Sequence, residues 1–398
     1  MLARLLVALP VAGAVLLTSA PAQAQETPTT LNAKVLAALA NSSARIVSAA
    51  VDVDGLGVVT RRSATASVPP ASTQKLFTAV AALRELGPSY VEKTQIRSVG
   101  TRTGALLRGD LYLVASGDPY FTSAQLDALA ASFAKTGIKT ISGHLVVDDT
   151  RYDRVRRGSG WKTEWVPEES GPLSAMALNG NTWRRDAAYL ADPATPVLAK
   201  LRTYLANRGV RLTTSDNRRG ASLSTAKTYA SWSSTSLARM TQRFLKDSDN
   251  FAAELVLKEL GRVGRGQGTA AAGAAVVHEQ TGPVGAVADG SGLSPYDKQT
   301  TANELALLST SLSALKSKLP VACHDGTLEH RFCGTAAAQR VFAKTGTLDT
   351  ARALAGWTYT RDGRLVTFAF VLSGFSSGSA AVKAIDRAVV VLAGATVT

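Results

Sequence analysis

The hydrophobic pattern changes period several times along the chain. Leu5 to Leu17 is a continuous apolar run behind Arg4, and Ala22-Gln23-Ala24 follows as a small-x-small tripeptide. This order reads as a secretory signal peptide over residues 1–24. The run is shorter than the roughly 20 residues that span a bilayer, and no later stretch is apolar enough to cross one. Once the signal is cleaved, the expectation is an exported protein with no transmembrane segment. Residues 31–40 (LNAKVLAALA) have the composition of a short apolar helix. Arg45 to Asp52 and Gly57 to Arg61 read as two strands joined by the turn signal Asp54-Gly55. After Val68-Pro69-Pro70 the chain turns helical from Ala71. Beyond Lys75 the positions Leu76, Phe77, Ala79, Val80, Ala82 and Leu83 leave little polar face. Such a helix belongs inside a domain, and Gly87-Pro88 ends it.

Between residues 93 and 226 the character differs. Strand-like runs (LRGDLYLVASGDP, ISGHLVVDDTRYD) alternate with Gly- and Asp-rich turns, and Ser123 to Lys135 is a helix candidate. This segment reads as an inserted mixed α/β domain. Helical period resumes at Thr235 to Leu245, with Leu237, Met240 and Phe244 on one side. A second helix runs from Phe251 to Leu260 and ends at Gly261, and the Ala/Gly run at 269–275 reads as helix or helix-flanking loop. The end of the chain predicts a sheet: a strand at Arg340 to Thr347, then Leu354 to Thr360 and Leu365 to Leu372 joined by Arg361-Asp362-Gly363. Residues 379–393 close as an apolar helix. The division that follows is 25–92 with 227–398 as one domain, built from both ends of the chain, and 93–226 as the insert.

Charge and cysteine content narrow the class. The formal net charge is +14, which outside the cell points to anionic wall polymers or membrane surfaces as long-range partners. No nucleic-acid motif is present. The densest basic stretch, Arg151, Arg154, Arg156, Arg157 and Lys162, reads as a solvated face. Cys323 and Cys333 are the two cysteines and lie ten residues apart. In an exported chain they are expected to form a disulfide that pins a surface loop. With four scattered histidines they make no convincing zinc site, and no metal or other cofactor is expected.

Three short motifs carry the chemistry. Ser72-Thr73-Gln74-Lys75 fits S-x-x-K, Ser248-Asp249-Asn250 fits S-x-N, and Lys344-Thr345-Gly346 fits K-T-G and continues to Thr347. Each is weak alone; in this order, each on a suitable element, they are strong. A serine hydroxyl is a poor nucleophile until a base takes its proton. Three residues along a helix put Lys75 on the same face as Ser72. For Lys75 to act as a base it must be neutral part of the time, which burial and a second cation, Lys344, would favour. Ser72 lies in the first turn of its helix, where unpaired N–H groups favour developing negative charge. Gly346 would let a ligand backbone approach the strand. As bland alternatives, Ser72 and Lys75 could be a helix start, Ser248 to Asn250 a helix cap, and Lys344 a solvated residue on an edge strand.

With these motifs in place, the sequence resembles the penicillin-binding protein 4 type of D-alanyl-D-alanine carboxypeptidase, peptidase family S13. Lys75 and Ser248 are 173 positions apart, a spacing that resembles the S13 family, which inserts extra domains there, and not class A β-lactamases. The strings Gly109-Asp110-Leu111, Gly117-Asp118-Pro119, Asp289-Gly290-Ser291-Gly292-Leu293-Ser294 and Asp325-Gly326-Thr327-Leu328 are also similar to that family. The resemblance implies an α/β transpeptidase-like domain, an antiparallel sheet flanked by helices, with the active site between the Lys344 strand and the Ser72 helix. It implies that Ser72 is acylated, Lys75 is the base, Ser248 relays a proton to the leaving amine and Asn250 orients the substrate amide. It further implies that Lys344 supplies positive charge and that Thr345 and Thr347 hold the substrate carboxylate. Ser72 and Thr347 N–H groups would form the oxyanion hole. The substrates implied are peptidoglycan stem peptides ending in D-Ala-D-Ala, with β-lactams as covalent inhibitors. The insert looks shorter than in the larger family members. Two rivals share these motifs: a β-lactamase, for which the E-x-x-L-N string is missing (Asn303-Glu304 runs in the wrong order), and a non-catalytic wall-binding protein.

Overall fold

The computed structural model describes residues 25–398, so the signal-peptide reading of residues 1–24 lies outside the described residues. The first part of the chain forms α1 (Pro28–Ala40), the hairpin β1 (Ile46–Val53) and β2 (Gly57–Arg62), a 3-10 turn at Ala71–Thr73, and α2 (Gln74–Glu85). The middle holds β3 (Lys93–Ser98), β4 (Thr101–Thr103), β5 (Leu106–Arg108), β6 (Leu111–Val114), α3 (Ser123–Ala134), β7 (Thr140–Ser142) and β8 (Leu145–Asp148). It continues through α4 (Trp165–Glu168), α5 (Ala187–Ala191), α6 (Val197–Ala206), β9 (Arg211–Leu212), β10 (Asn217–Arg219) and β11 (Lys227–Ser233). The last part is α7 (Leu237–Asp247), α8 (Asn250–Arg265), α9 (Ala270–Thr281), α10 (Thr301–Leu315), β12 (Phe342–Leu348), β13 (Ala351–Tyr359), β14 (Leu365–Ser373) and α11 (Gly378–Gly394).

The two ends of the chain meet in one antiparallel sheet, in the order β12-β13-β14-β1-β2. Period-two alternation sends its side chains to two cores. Phe368, Phe370 and Leu372 of β14 pack with Leu31, Val35 and Leu39 of α1 and with Ile385, Val389 and Leu392 of α11. Ala369, with Ala355 and Trp357 of β13, faces Leu76, Phe77 and Val80 of α2 and the α7, α8 and α10 layer. Alanine at 355 and 369 lets the buried α2 lie close to the sheet, and α2 carries the motif lysine. The middle of the chain builds two further sheets, β10-β8-β6-β3-β11 and β4-β5-β7-β9. Both contain parallel and antiparallel pairs and share a core with α3 and α6. Phe251 and Leu255 of α8 reach into that core and join it to the helices behind the site.

Several expectations need correction. Lys227–Ser233, placed beyond the insert by its sequence, pairs antiparallel with β3 and belongs to the second sheet; strand alternation alone does not say which sheet receives a strand. Gly261 does not end its helix. α8 runs on to Arg265 and stops at Gly266, φ +72°. A Cβ at Gly261 would lie 2.6 Å from Gln267 O and 2.7 Å from Gly273 N, so the glycine permits close packing of the chain that follows. The basic stretch is only partly a solvated face. Arg151 pairs with buried Glu259, and Arg156 lies within 3.7 Å of buried Asp149. Helices α4, α5, α6 and α10 are additional to those the sequence predicts. No helix of the described residues is long and apolar enough to cross a membrane.

Candidate active site

Ser72 sits in the 3-10 turn just ahead of α2, and Lys75 is the second residue of that helix. The turn is set by contact as well as by sequence. Ala71 takes φ +50°, and Gly292 packs so close that a Cβ there would lie 1.9 Å from Ala71 O. Lys75 is fully buried. Its Nζ donates to Ser72 Oγ at 3.0 Å, Asn250 Oδ1 at 2.6 Å and Ser291 O at 2.7 Å. The three hydrogens of an ammonium are matched by three acceptors, none of them a carboxylate.

The second motif lies where α7 gives way to α8. Ser248 closes α7 with φ +58°, Asp249 caps α8 by accepting from Ala252 N at 3.0 Å, and Asn250 is the first residue of α8. The cap and the site share the same three residues, so neither reading excludes the other. Asn250 Nδ2 donates to Glu169 O at 3.0 Å. From β12, buried Lys344 donates to Ser248 Oγ at 2.8 Å and to Thr345 O at 3.0 Å. All five motif side chains therefore converge, as two hydroxyl–lysine pairs, one of them linked to Asn250. Burial pushes Lys75 down to about 8, against the pull of Asp289, Glu254, Asp249 and Asp297. Burial and the neighbouring charge of Lys75 push Lys344 well below the ordinary lysine value. A serine hydroxyl beside an amine that is partly neutral near pH 8 can be deprotonated and attack an electrophile.

These groups line a cleft of about 370 Å³. Ser72, Ser248, Asn250, Thr345 and Thr347 line it, with Thr327, Leu293 and Arg352 beside them. The insert supplies Trp165 and Glu169, which nothing in their local sequence singled out. Gly346 serves the protein's own backbone: a Cβ there would lie 2.8 Å from Pro70 O and from Ala353 Cβ, so glycine lets β12 close on the Ser72 turn. The Cys323–Cys333 disulfide is formed. Its loop holds Thr327 against the cleft, where Thr345 Oγ1 donates to Thr327 Oγ1 at 2.8 Å, and Lys246 pairs with Asp325 at its base.

Sequence reasoning missed the layer behind the motifs. Buried Asp289 accepts from the N–H groups of Ser291 (3.0 Å), Gly292 (2.6 Å) and Ser294 (2.7 Å) and from Trp161 Nε1 (2.7 Å). The string Asp289 to Ser294 was visible, but not that it folds around its own aspartate. Glu254 and Glu304, both fully buried, gave no signal, because an acid within a helix reads as surface.

The chain is similar to several known proteins. A D-alanyl-D-alanine carboxypeptidase from Actinomadura sp. is 30% identical over 399 residues, covering 77% of this chain and 73% of that protein. Carboxypeptidase DacB from Mycolicibacterium smegmatis is 28% identical over 388 residues, covering 89% and 82%. The crystal structure of penicillin binding protein 4 (dacB) from Haemophilus influenzae superposes with a TM-score of 0.79 over 90% of this chain and 98% of that one, at 20% identity. The fold is therefore the transpeptidase-like α/β fold. The family model described as "D-Ala-D-Ala carboxypeptidase 3 (S13) family" matches residues 31–189 and 170–396. Since those two matches run through every motif from Ser72 to Thr347, the chain belongs to the D-Ala-D-Ala carboxypeptidase 3 (S13) family.

Proposed function

We propose that the protein is a serine-type D,D-peptidase that cleaves the D-Ala-D-Ala ends of peptidoglycan stem peptides through an acyl-serine. The observation that carries this reading is the fully buried Lys75 amine, bonded to Ser72 Oγ and Asn250 Oδ1. Ser72 Oγ attacks the carbonyl carbon of the penultimate D-Ala while its proton passes to Lys75. The oxyanion sits between the Ser72 and Thr347 N–H groups, each such donor being worth about 10²- to 10³-fold in rate. The C–N bond then breaks, the departing amine takes the proton of Ser248 Oγ, and Lys344 Nζ, 2.8 Å away, returns a proton to Ser248. Water hydrolyses the acyl-serine and restores the enzyme. Lys344, Thr345 and Thr347 hold the terminal carboxylate. A β-lactam follows the first half of this path, with its ring C–N bond breaking, and stays on Ser72. An open cleft also admits a cross-linked leaving group, so D,D-endopeptidase activity belongs to the same reading.

The catalytic unit is made by the two ends of the chain, and the insert walls the cleft. The protein works outside the cytoplasm after loss of residues 1–24, and its net charge of +14 favours anionic wall polymers. The test is intact mass after incubation with benzylpenicillin, followed by peptide mapping. A one-to-one adduct on Ser72, absent in Ser72→Ala, is expected. Labelling retained in Ser72→Ala would sink the nucleophile assignment. Penicillin returned intact would support a non-catalytic protein, and penicillin returned hydrolysed without an adduct a β-lactamase.

A further inference from the structure

Behind Lys75 lies a carboxylate that does not line the Ser72 cleft. Glu254 follows Asn250 by four residues on α8, so the two share a helix face. Glu254 is fully buried. Its Oε1 accepts from Gly290 N at 3.0 Å and from Ser291 N at 2.8 Å. Those two residues in turn hold α2: Gly290 O accepts from Thr78 Oγ1 at 2.8 Å, and Ser291 O accepts from Lys75 Nζ at 2.7 Å. α8 thus grips Lys75 twice, directly through Asn250 and one turn later through Glu254 and the Ser291 carbonyl.

The hydrogen bonds alone do not require an acid. A glutamine oxygen would accept the same two N–H groups, whereas the carboxylate leaves Oε2 buried without a hydrogen-bond partner among the described residues. Burying an incompletely bonded acid is costly, so its charge calls for a use. Resting on the serine-peptidase reading above, we propose that Glu254 is a positioning residue of the base: it fixes the Ser291 carbonyl on Lys75 and supplies negative charge behind the ammonium that forms when Ser72 gives up its proton.

The charges around the pair are few. Asp289, Glu254, Asp249 and Asp297 act on Lys75, and Lys344 is the other buried amine beside it. Burial and then the Asp289 charge raise Glu254 to about 8, while Ser291 and Lys75 oppose them. Lys258, one turn further along α8, is paired with Asp153. Lys75 and Glu254 therefore change charge in the same pH range. Near and above pH 8, where Glu254 is charged, removing the acid removes one group that keeps Lys75 protonated, so the neutral base is reached at lower pH.

The test is the rate of Ser72 acylation by benzylpenicillin between pH 5.5 and 9.5, for the wild type, Glu254→Gln and Glu254→Asp. The wild-type rate is expected to rise with pH through about 8. Glu254→Gln should move this rise down by about half a pH unit or more. Relative to its own plateau, the variant is then faster near pH 8, where the wild-type acid becomes charged, and matches the wild type near pH 6, where Glu254 is protonated. Glu254→Asp, with its charge drawn back from the loop, should move the rise the same way by less. Glutamine has nearly the size and shape of glutamate, so the amide nitrogen takes the place of the buried, unbonded Oε2. A Glu254→Gln profile that coincides with the wild type, or moves to higher pH, overturns the proposal. Should the Gln variant not fold, the Asp variant decides by the same criterion. A wild type that takes no penicillin on Ser72 sinks the serine-peptidase reading itself, and this inference with it.

Discussion

Glu304 makes a prediction that separates burial from every other cause. It lies on α10, fully buried, and its bonding partner is Thr73 Oγ1, the neighbour of Ser72. The same hydroxyl donates to Pro70 O at 2.7 Å, so it spans the turn that carries Ser72. Glu304 Oε2 has no hydrogen-bond partner among the described residues. Burial raises this carboxyl from its ordinary 4.5 to about 7, with the Thr73 hydrogen bond opposing. A folded-state affinity raised in this way adds stability that is fully present below pH 4.5 and is lost as pH rises through 7. The rise corresponds to about 3 kcal/mol. Glu304→Gln keeps an oxygen for Thr73 but carries no charge at any pH, so it should not suffer this loss. Urea unfolding of both proteins at pH 5 and pH 8.5 gives the measurement. The stability of the variant relative to the wild type should increase by about 3 kcal/mol between the two pH values. The other titrating groups are common to both proteins and cancel. A relative stability that stays constant across this range would refute the reasoning and mean that Glu304 ionises in the fold as it does in water.

Two further perturbations test the frame of the site. Gly292 has φ +82° and room for no Cβ beside Ala71 O, so Gly292→Ala should cost more than about 3 kcal/mol and slow penicillin labelling of Ser72; wild-type melting and labelling together would show that the turn does not depend on this contact. Reducing the Cys323–Cys333 bond frees a loop whose ends are ten residues apart, which should cost about 2–3 kcal/mol in urea unfolding. It should also slow acylation, because Thr327 in that loop bonds Thr345; unchanged acylation after verified reduction would mean that Lys246–Asp325 suffices to hold it.

What was legible in the sequence is what short-range order carries. The three motifs, the apolar helix after Lys75 and the closing hairpin of Leu354 and Leu365 each declare themselves within a few residues, by spacing or by period. The surroundings that lower the proton affinity of Lys75 are not local. Its acceptors come from positions 72, 250 and 291, and its burial from a sheet closed by both ends of the chain. Glu254 and Glu304 show why such a layer escapes the eye. Each stands in a helix where an acid is ordinarily solvated, and each becomes informative only when the fold lays it against the backbone of another segment, Gly290–Ser291 for one and the Pro70–Thr73 turn for the other. Gly346 makes the same point with the opposite sign. Its sequence context points to close approach of a ligand, and the fold adds a second reason for glycine, the contact with Pro70 O. The K-T-G glycine therefore brings β12 and the Ser72 turn together.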